Sequence, residues 1–424
     1  APDPEATVAQ AARAAAGGDP ADWELERELG LLGLGEEFLD RRFGSLSPGE
    51  QTRVLLAALF LQQGCYPLID EPTNHLDAEG RARLGRYLRG QRRGFLLVSH
   101  DRALLNDCVD HILSLERSGP MLLAGSYDDW QREADRRDAR ELAENDRLAG
   151  EISRLQAGVR RTAAWSDQVE KSKFNTRNSG LRVDRGYVGH QSAKMMKRAK
   201  AIEARQQKAI AEKSALLKDL ETAEPLKLHP LQHPAACLVR CRDLTVQYGG
   251  RPVFAGAGFE LHAGDRLALT GPNGCGKSSL LRLVCGQAVP HTGLCQTASG
   301  LVISYLPQTP EDCPGTAADY ADGYALDKSL FFAILRKLGF ERVQFEKPVA
   351  GLSAGQRKKL MLARSLCQPA HLYVWDEPLN YIDVLSRRQV EQLILQYRPT
   401  LLFVEHDRAF CRAVATRTLP LGGA

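Results

Sequence analysis

The feature that most constrains this chain is an internal repeat. Three short motifs occur twice, and each second copy lies 306 residues after the first. A constant offset indicates a duplicated domain with no insertions between the motifs. The matched segments are 46–51 with 352–356, 70–72 with 376–378, and 100–102 with 406–408. At 424 residues, the chain has room for two such domains and an additional segment.

The most specific motif, at residues 271–278, has the pattern G-x-x-x-x-G-K-S. The apolar run 266–270 before it predicts a strand, and residues 279–284 after it predict a helix. In that context the backbone N–H groups surround phosphates, and the helix N-terminus contributes positive charge. Lys277 is then expected at the β- and γ-phosphates and Ser278 at Mg²⁺. The candidate nucleotide-binding residues here are Gly271, Pro272, Asn273, Gly274, Cys275, Gly276, Lys277, Ser278 and Ser279.

Each copy also carries two adjacent carboxylates after an apolar run, Asp70-Glu71 and Asp376-Glu377. A buried strand that ends in such a pair fits an Asp associated with Mg²⁺ and a Glu that activates water. A single Asp-Glu pair is more typical of an exposed turn, but recurrence at the repeat offset favours the functional interpretation. Pro67 predicts an irregular start to the first of these strands.

A third repeated motif precedes a helical pattern in each copy. Its Ser is followed three residues later by Glu or Gln, which is a capping box and by itself indicates only a helix start. The candidate residues are Ser47, Gly49, Glu50, Ser353, Gly355 and Gln356.

Together, the phosphate loop, the Asp-Glu pairs and the Ser motifs resemble the ABC ATPase superfamily. The resemblance implies an α/β fold with two P-loop ABC-type nucleotide-binding domains, and ATP and Mg²⁺ as ligands. It implies that the Ser motif of one half clamps the γ-phosphate bound to the other half. The implied roles are general base for Glu377 and Glu71, γ-phosphate contact for His406 and His100, adenine stacking for Tyr248, and Mg²⁺ binding for Ser278, Gln308, Asp376 and Asp70.

The repeat offset places the phosphate loop of the first copy before residue 1. We therefore expect an N-terminal truncation, with a degenerate first half as the alternative. On this interpretation one complete site remains, which combines the phosphate loop at 271–278 with Ser47, Gly49 and Glu50.

Residues 131–234 separate the two halves, 1–130 and 235–424, and differ from both in pattern. Leu148, Ile152, Leu155 and Val159 are spaced 4, 3 and 4 residues apart, which predicts an amphipathic helix with a coiled-coil seam. A second seam follows a stretch rich in Gly and Asn, so the pattern favours an antiparallel helical hairpin. Forty helical residues give an arm of roughly 60 Å.

The bend of this linker is strongly basic. From Lys171 to Lys208 there are eleven basic and two acidic residues, a net charge of +9 against +4 for the whole chain. Such runs are often only solvated surface, but Phe174, Tyr187 and His190 are interleaved here, and that combination favours RNA. The candidate RNA-binding residues are Lys171, Lys173, Arg177, Arg182, Arg185, Lys194, Lys197 and Arg198.

Two fused halves joined by a helical hairpin resemble the ABC-F family. Residues 376–383 and the linker segments 178–190 and 193–198 resemble the Lsa and Vga types of antibiotic-resistance ABC-F proteins. This resemblance implies a ribosome as partner, with the linker in the E site near 23S rRNA and P-site tRNA. It also implies protection against lincosamides, pleuromutilins and streptogramin A. The two halves are expected to pair within one monomeric chain.

No apolar run reaches 18 residues, so no transmembrane helix is expected and a cytoplasmic location follows. The ten cysteines are scattered and predict reduced thiols, with no paired cysteines arranged as a zinc site. The alternatives are a housekeeping ABC-F translation factor, the ATPase subunit of an efflux transporter, and an SMC-like DNA-binding ATPase. The long linker argues against the transporter subunit, and its limited length argues against the SMC-like protein.

Overall fold

The computed structural model describes residues 3–422 apart from 75, 117–118, 173–196, 198–200, 203, 211–225 and 310–312. It contains two compact units, one formed by 1–128 with 223–424 and the other by 129–222. The first unit therefore contains both copies of the repeat. The predicted linker, 131–234, included residues 226–234. In the structure Leu226 and Leu228 are instead buried in the core of the second half. Pro230 also pairs with Ala370 there.

A five-stranded parallel sheet forms the centre of the second half, in the order β12-β7-β11-β10-β9. Its strands are β7 (Arg266–Thr270), β9 (Ile303–Leu306), β10 (Leu372–Asp376), β11 (Leu401–Val404) and β12 (Arg417–Pro420). Every residue of β10 and β11 is buried. Parallel sheets are covered on both faces, which explains the continuous apolar runs that precede the polar motifs.

A three-stranded antiparallel sheet, in the order β6-β5-β8, packs beside the phosphate-loop helix. Its strands are β5 (Cys237–Tyr248), β6 (Arg251–His262) and β8 (His291–Thr297). The helices of this half are α7 (Lys277–Val284), α8 (Ala317–Gly323), α9 (Lys328–Lys337), α10 (Arg342–Phe345), α11 (Ala354–Cys367), α12 (Val384–Tyr397) and α13 (Arg408–Val414). A short 3-10 helix, Val349–Gly351, precedes α11.

The first half repeats part of this plan around its own core. A parallel pair, β1 (Leu68–Asp70) and β2 (Leu96–Val98), lies at the repeat positions of β10 and β11. A hairpin follows, formed by β3 (His111–Glu116) and β4 (Gly119–Ala124). The helices are α1 (Val8–Ala16), α2 (Asp22–Leu31), α3 (Pro48–Leu61), α4 (Ala78–Arg89) and α5 (Arg102–Cys108), with 3-10 helices Glu36–Phe38 and Phe43–Ser45. As expected from Pro67, β1 begins only at Leu68.

The long helix α6 (Tyr127–Ser172) leads into the second unit. At 1.5 Å per residue its 46 residues extend about 70 Å. Residues 204–210 are also helical. They lie beside α6, since a Cβ added to Gly158 would approach the side-chain nitrogen of Gln206 to 3.0 Å. The antiparallel hairpin remains a prediction, because its bend lies outside the described residues.

Candidate active site

Motifs from both copies of the repeat meet at one cavity of about 460 Å³. The second half supplies the phosphate loop, the side chains after β9, β10 and β11, and Tyr248. The first half supplies the start of α3 and the segment after β1. The lining residues are Ser47, Pro48, Gly49, Asn74, Leu76, Tyr248, Val253, Asn273, Gly274, Gly276, Lys277, Ser278, Ser279, Gln308, Glu377 and His406.

The phosphate loop connects β7 to α7, as its sequence predicts. Gly276 has a φ of 89°, and a Cβ there would lie 2.8 Å from the ring of Phe254, so only glycine fits. The Nζ of Lys277 donates to the carbonyl oxygens of Gly271 (2.9 Å) and Pro272 (2.8 Å). This ammonium therefore lies over the loop, and Lys277 is buried among the residues that line the cavity. Tyr248 is 47% exposed, and its hydroxyl lies 3.0 Å from that of Ser279.

Glu377 is held by three side chains. Its Oε1 accepts from Nε2 of Gln308 (2.9 Å) and lies 3.4 Å from Nε2 of His406, while its Oε2 accepts from Asn380. Burial would raise the pKa of Glu377, but His406, Gln308 and Lys358 together hold it below the ordinary value. The carboxylate is therefore ionised at neutral pH and has a fixed orientation.

Asp376, which precedes Glu377 at the end of β10, is also buried. Neither of its carboxylate oxygens accepts a hydrogen bond of normal geometry from the described residues. Burial raises the pKa of Asp376, and the neighbouring hydroxyl of Ser278 partly offsets the rise. A buried carboxylate beside the Ser278 hydroxyl, with the Gln308 amide lining the same cavity as that hydroxyl, is an all-oxygen donor set that suits Mg²⁺.

A buried lysine supports this region from behind. The Nζ of Lys358 donates to the carbonyl oxygens of Pro307, Gln308 and Asp376 at 3.0–3.2 Å. Burial lowers the pKa of Lys358 to about 8, against the attraction of nearby carboxylates including Glu377. Lys358 therefore ties the segment that carries Gln308 to the end of β10.

The first-half motif caps α3, as the capping-box interpretation predicted. The backbone N–H and the hydroxyl of Ser47 donate to Oε2 of Glu50 at 2.8 and 2.6 Å, and Ser47 Oγ accepts from the Glu50 N–H. Ser47 and Gly49 also line the cavity opposite the phosphate loop. The capping and the nucleotide-binding interpretations are thus compatible, because one helix N-terminus can serve both.

The remaining predicted residues lie elsewhere. Ser353 and Gln356 form the matching capping box at α11, close to Gly355. Glu71 and His100 form a second pair, with Oε1 3.6 Å from Nε2. Asp70 precedes them at the end of β1. None of these residues lines the cavity, and none of the described residues of the first half forms a phosphate loop.

Glu71 differs electrostatically from its counterpart Glu377. Its Oε1 accepts no hydrogen bond from the described residues. Burial raises the pKa of Glu71 to about 7, although Arg387 opposes the rise. Burial also lowers the pKa of His100. Both glutamates have left-handed backbone, with φ of 43° and 48°, a strained conformation that is common at functional sites.

This difference predicts a pH-dependent change in stability. Because the pKa of Glu71 is raised in the folded state, its ionisation opposes folding, so stability falls as pH rises from about 4.5 through 7. We expect Glu71→Gln to raise the free energy of unfolding at pH 8 by about 1–2 kcal/mol, after allowing for partial exposure, and to change it much less at pH 5. Urea unfolding at both pH values measures the effect. Glu377→Gln is the control and should lose stability at pH 8, and an equal response of both variants would contradict the account.

Two arginines join the two halves of the repeat. Nη1 of Arg387 donates to the carbonyl oxygen of His100 at 2.9 Å, and Nη1 of Arg102 lies 3.2 Å from Oε2 of Glu391. Arg387 is buried, and its Nε donates to the Ile382 carbonyl within its own half. The first half is thus held against the second half partly through the backbone carbonyl group of His100, the residue predicted to contact the γ-phosphate.

Sequence reasoning missed several residues of the site. Asn74, Leu76 and Val253 line the cavity, Asn380 holds the carboxylate of Glu377, and Lys358 holds the backbone carbonyl groups beside it. The basic run 357–359 after the second Ser motif was the available signal for Lys358.

Among the candidate RNA-binding residues, Lys197 is described and exposed, and Lys171 lies in α6. The others, namely Lys173, Arg177, Arg182, Arg185, Lys194 and Arg198, lie outside the described residues, as do Phe174, Tyr187 and His190.

This chain is similar to known proteins along most of its length. The ABC transporter family model matches residues 254–380. The ribosome protection protein VmlR of Bacillus subtilis is 28% identical over 380 residues, which is 87% of this chain and 67% of VmlR. The energy-dependent translational throttle protein EttA of Haemophilus influenzae is 28% identical over 413 residues, 95% of this chain and 67% of EttA. This chain spans about 55% to 70% of the length of such curated relatives.

Among solved structures, the fold matches the archaeal ribosome recycling factor aABCE1, crystallised with the ribosomal stalk protein aP1. The TM-score is 0.62 at 21% identity, over 99% of this chain and 69% of that chain. The fold and the site thus define an ABC-type ATPase with an α/β architecture, as predicted. Within the described residues, no helix has the length and apolarity to cross a membrane.

Proposed function

We propose that this protein is an ABC-F ATPase that hydrolyses ATP between its halves and uses the closed state to bind the ribosome. The observation that carries the proposal is the single cavity shared by the phosphate loop and the Ser47 motif. ATP held at such a cavity contacts both halves, whereas ADP lacks the γ-phosphate that faces the first half. Binding energy from the γ-phosphate is then available to hold the halves together.

The side chains divide the chemistry between binding and proton transfer. Tyr248 offers an exposed ring on which adenine stacks. When ATP binds, the ammonium of Lys277 donates to phosphate oxygens in place of the loop carbonyl oxygens. Glu377 accepts the proton of the attacking water, since its lowered pKa keeps it ionised. Gln308, Asn380 and His406 orient that carboxylate through the contacts described above.

Ser278, Gln308 and Asp376 are the residues that would hold Mg²⁺. The carboxylate oxygens of Asp376, which accept no hydrogen bond of normal geometry from the described residues, fit this assignment. When bound, the ion neutralises charge on the phosphates and stabilises the charge that develops during transfer.

The Ser47 motif gives a test of the shared cavity. We expect Ser47→Ala to lower ATP turnover by at least about tenfold, because a hydrogen-bond donor to developing charge is lost. It should also cost about 1 kcal/mol of stability as a lost helix cap. Thr316→Ala removes a similar capping box from α8, which lies outside the cavity lining, and is the matched control. Equal turnover in both variants would remove Ser47 from the site.

The ribosome is proposed as partner on two grounds. The linker between Lys171 and Lys208 carries a net charge of +9, which suits an RNA phosphate surface. The relatives include a ribosome protection protein and a translational throttle protein. We extend the proposal to protection against lincosamides, pleuromutilins and streptogramin A, with the linker inserted through the E site towards the peptidyl-transferase centre.

The similarity to EttA favours a second candidate, a translation factor with no role in resistance. A purified translation system separates the two. Protection predicts that the protein with ATP restores synthesis in the presence of a lincosamide. The translation-factor alternative predicts a changed rate of synthesis without drug and no rescue with it. If neither effect occurs, the proposed partner is wrong.

A further inference from the structure

A cluster of three different metal-binding side chains lies on the antiparallel sheet of the second half. Cys237 in β5 pairs in register with His262 in β6, and Glu260 lies two residues before His262 on the same face of β6. One ligand atom from each residue lies within 4.8 Å of the other two. Cys237 and Glu260 are half-buried and His262 is exposed, so the cluster is open to solvent.

The two β6 ligands are already oriented by neighbours. Oε1 of Glu260 accepts from Nε of Arg240 at 2.8 Å, which leaves Oε2 3.7 Å from Nε2 of His262. Glu260 thus presents one free oxygen to the imidazole. This is the arrangement expected of a monodentate carboxylate ligand.

The other side of the imidazole faces a second carboxylate. Nδ1 of His262 lies 3.6 Å from Oδ2 of Asp265, and that oxygen also accepts the backbone N–H of His262 at 3.0 Å. Arg417 of β12 fixes Asp265 in turn, at 3.3 Å. A carboxylate behind the second ring nitrogen is the usual support of a metal-bound histidine, since it selects the tautomer that leaves Nε2 free.

From these contacts we infer that Cys237, Glu260 and His262 form a zinc site. A thiolate, an imidazole and a carboxylate together match zinc, whereas magnesium and calcium select oxygen ligands. Tetrahedral zinc bonds bring such donor atoms roughly 3.3–3.6 Å apart, so the three side chains need only small rotations. Water completes the coordination at the exposed fourth position.

The site is separate from the nucleotide cavity and from a nearby pair of thiols. Cys241 and Cys295 face each other across β5 and β8 with their sulfurs 3.4 Å apart, and Cys241 is buried. None of the three proposed ligands lines the nucleotide cavity. Bound zinc therefore connects β5 to β6, and through Asp265 and Arg417 to β12, without contributing to ATP hydrolysis.

Zinc binding is measured on the whole protein by competition with a chromophoric chelator, with thiols reduced and Mg²⁺ in excess to occupy the nucleotide site. Cobalt, added separately, reports thiolate ligation by a charge-transfer band. We expect one equivalent of zinc, a cobalt–thiolate band, and a higher unfolding temperature with zinc at unchanged ATP turnover.

Cys237→Ser and His262→Gln should each weaken zinc binding at least tenfold, and Cys237→Ser should abolish the cobalt band. Cys65→Ser in the first half and Cys241→Ser at the thiol pair should bind zinc normally. Because His262 is exposed, its replacement leaves folding intact. The inference is overturned if the protein binds no zinc at micromolar concentration, if both ligand variants bind like the wild type, or if Cys241→Ser alone abolishes binding.

Discussion

Replacing Glu377 with Gln is expected to lower ATP turnover by about 10²–10⁴-fold, the usual cost of losing a general base. Glutamine keeps the size of the side chain and can still contact Gln308, Asn380 and His406, so ATP binding should persist. The γ-phosphate then remains in place and the halves stay closed. Turnover is measured as phosphate release, and binding with a fluorescent ATP analogue.

Glu346→Gln serves as the control for this experiment, since it removes an exposed carboxylate outside the cavity lining. It should leave both turnover and binding unchanged. Turnover near the wild-type rate in Glu377→Gln would exclude Glu377 as the base. A loss of ATP binding in the same variant would instead make it a structural residue of the cavity.

Replacing residues 174–190 with a short Gly-Ser turn is expected to abolish drug protection while ATP hydrolysis stays within a few-fold. The long helix α6 extends about 70 Å, and the strongest positive charge of the linker follows it in sequence. The ATPase motifs lie in the other compact unit, so the shortened linker leaves them intact. The measurement is rescue of drug-inhibited translation in the purified system.

A second variant separates length from charge at the linker. Arg177, Arg182 and Arg185 are changed to Ser while the length is kept. If charge holds the linker on rRNA, this variant should show weaker ribosome binding and a smaller salt dependence. Full rescue by the Gly-Ser variant would make the linker a spacer and would contradict the proposed protection mechanism.

The sequence predicted the local parts of the site well, because those parts are set by short segments. A phosphate loop needs only a strand, its glycines and a helix N-terminus, all within residues 266–284. The Asp-Glu pairs and capping boxes are equally local. The structure confirms the α/β ABC ATPase fold that these motifs implied.

What sequence could not predict is the environment that distant segments create. Glu71 and Glu377 occupy equivalent motifs, yet the pKa of one is raised to about 7 and that of the other is lowered. The difference arises because His406 and Gln308 stabilise the ionised carboxylate of Glu377, while Oε1 of Glu71 accepts no hydrogen bond from the described residues. The role of Lys358 likewise depends on carbonyl groups up to 51 residues away in sequence.

Co-sedimentation of Glu377→Gln with ribosomes tests whether ATP shared between the two halves puts this protein on the ribosome. We expect stable association with ATP, none with ADP, and loss of the ATP-dependent fraction when Ser47→Ala is added. Association that is equal with ATP and ADP, or unaffected by Ser47→Ala, would contradict it.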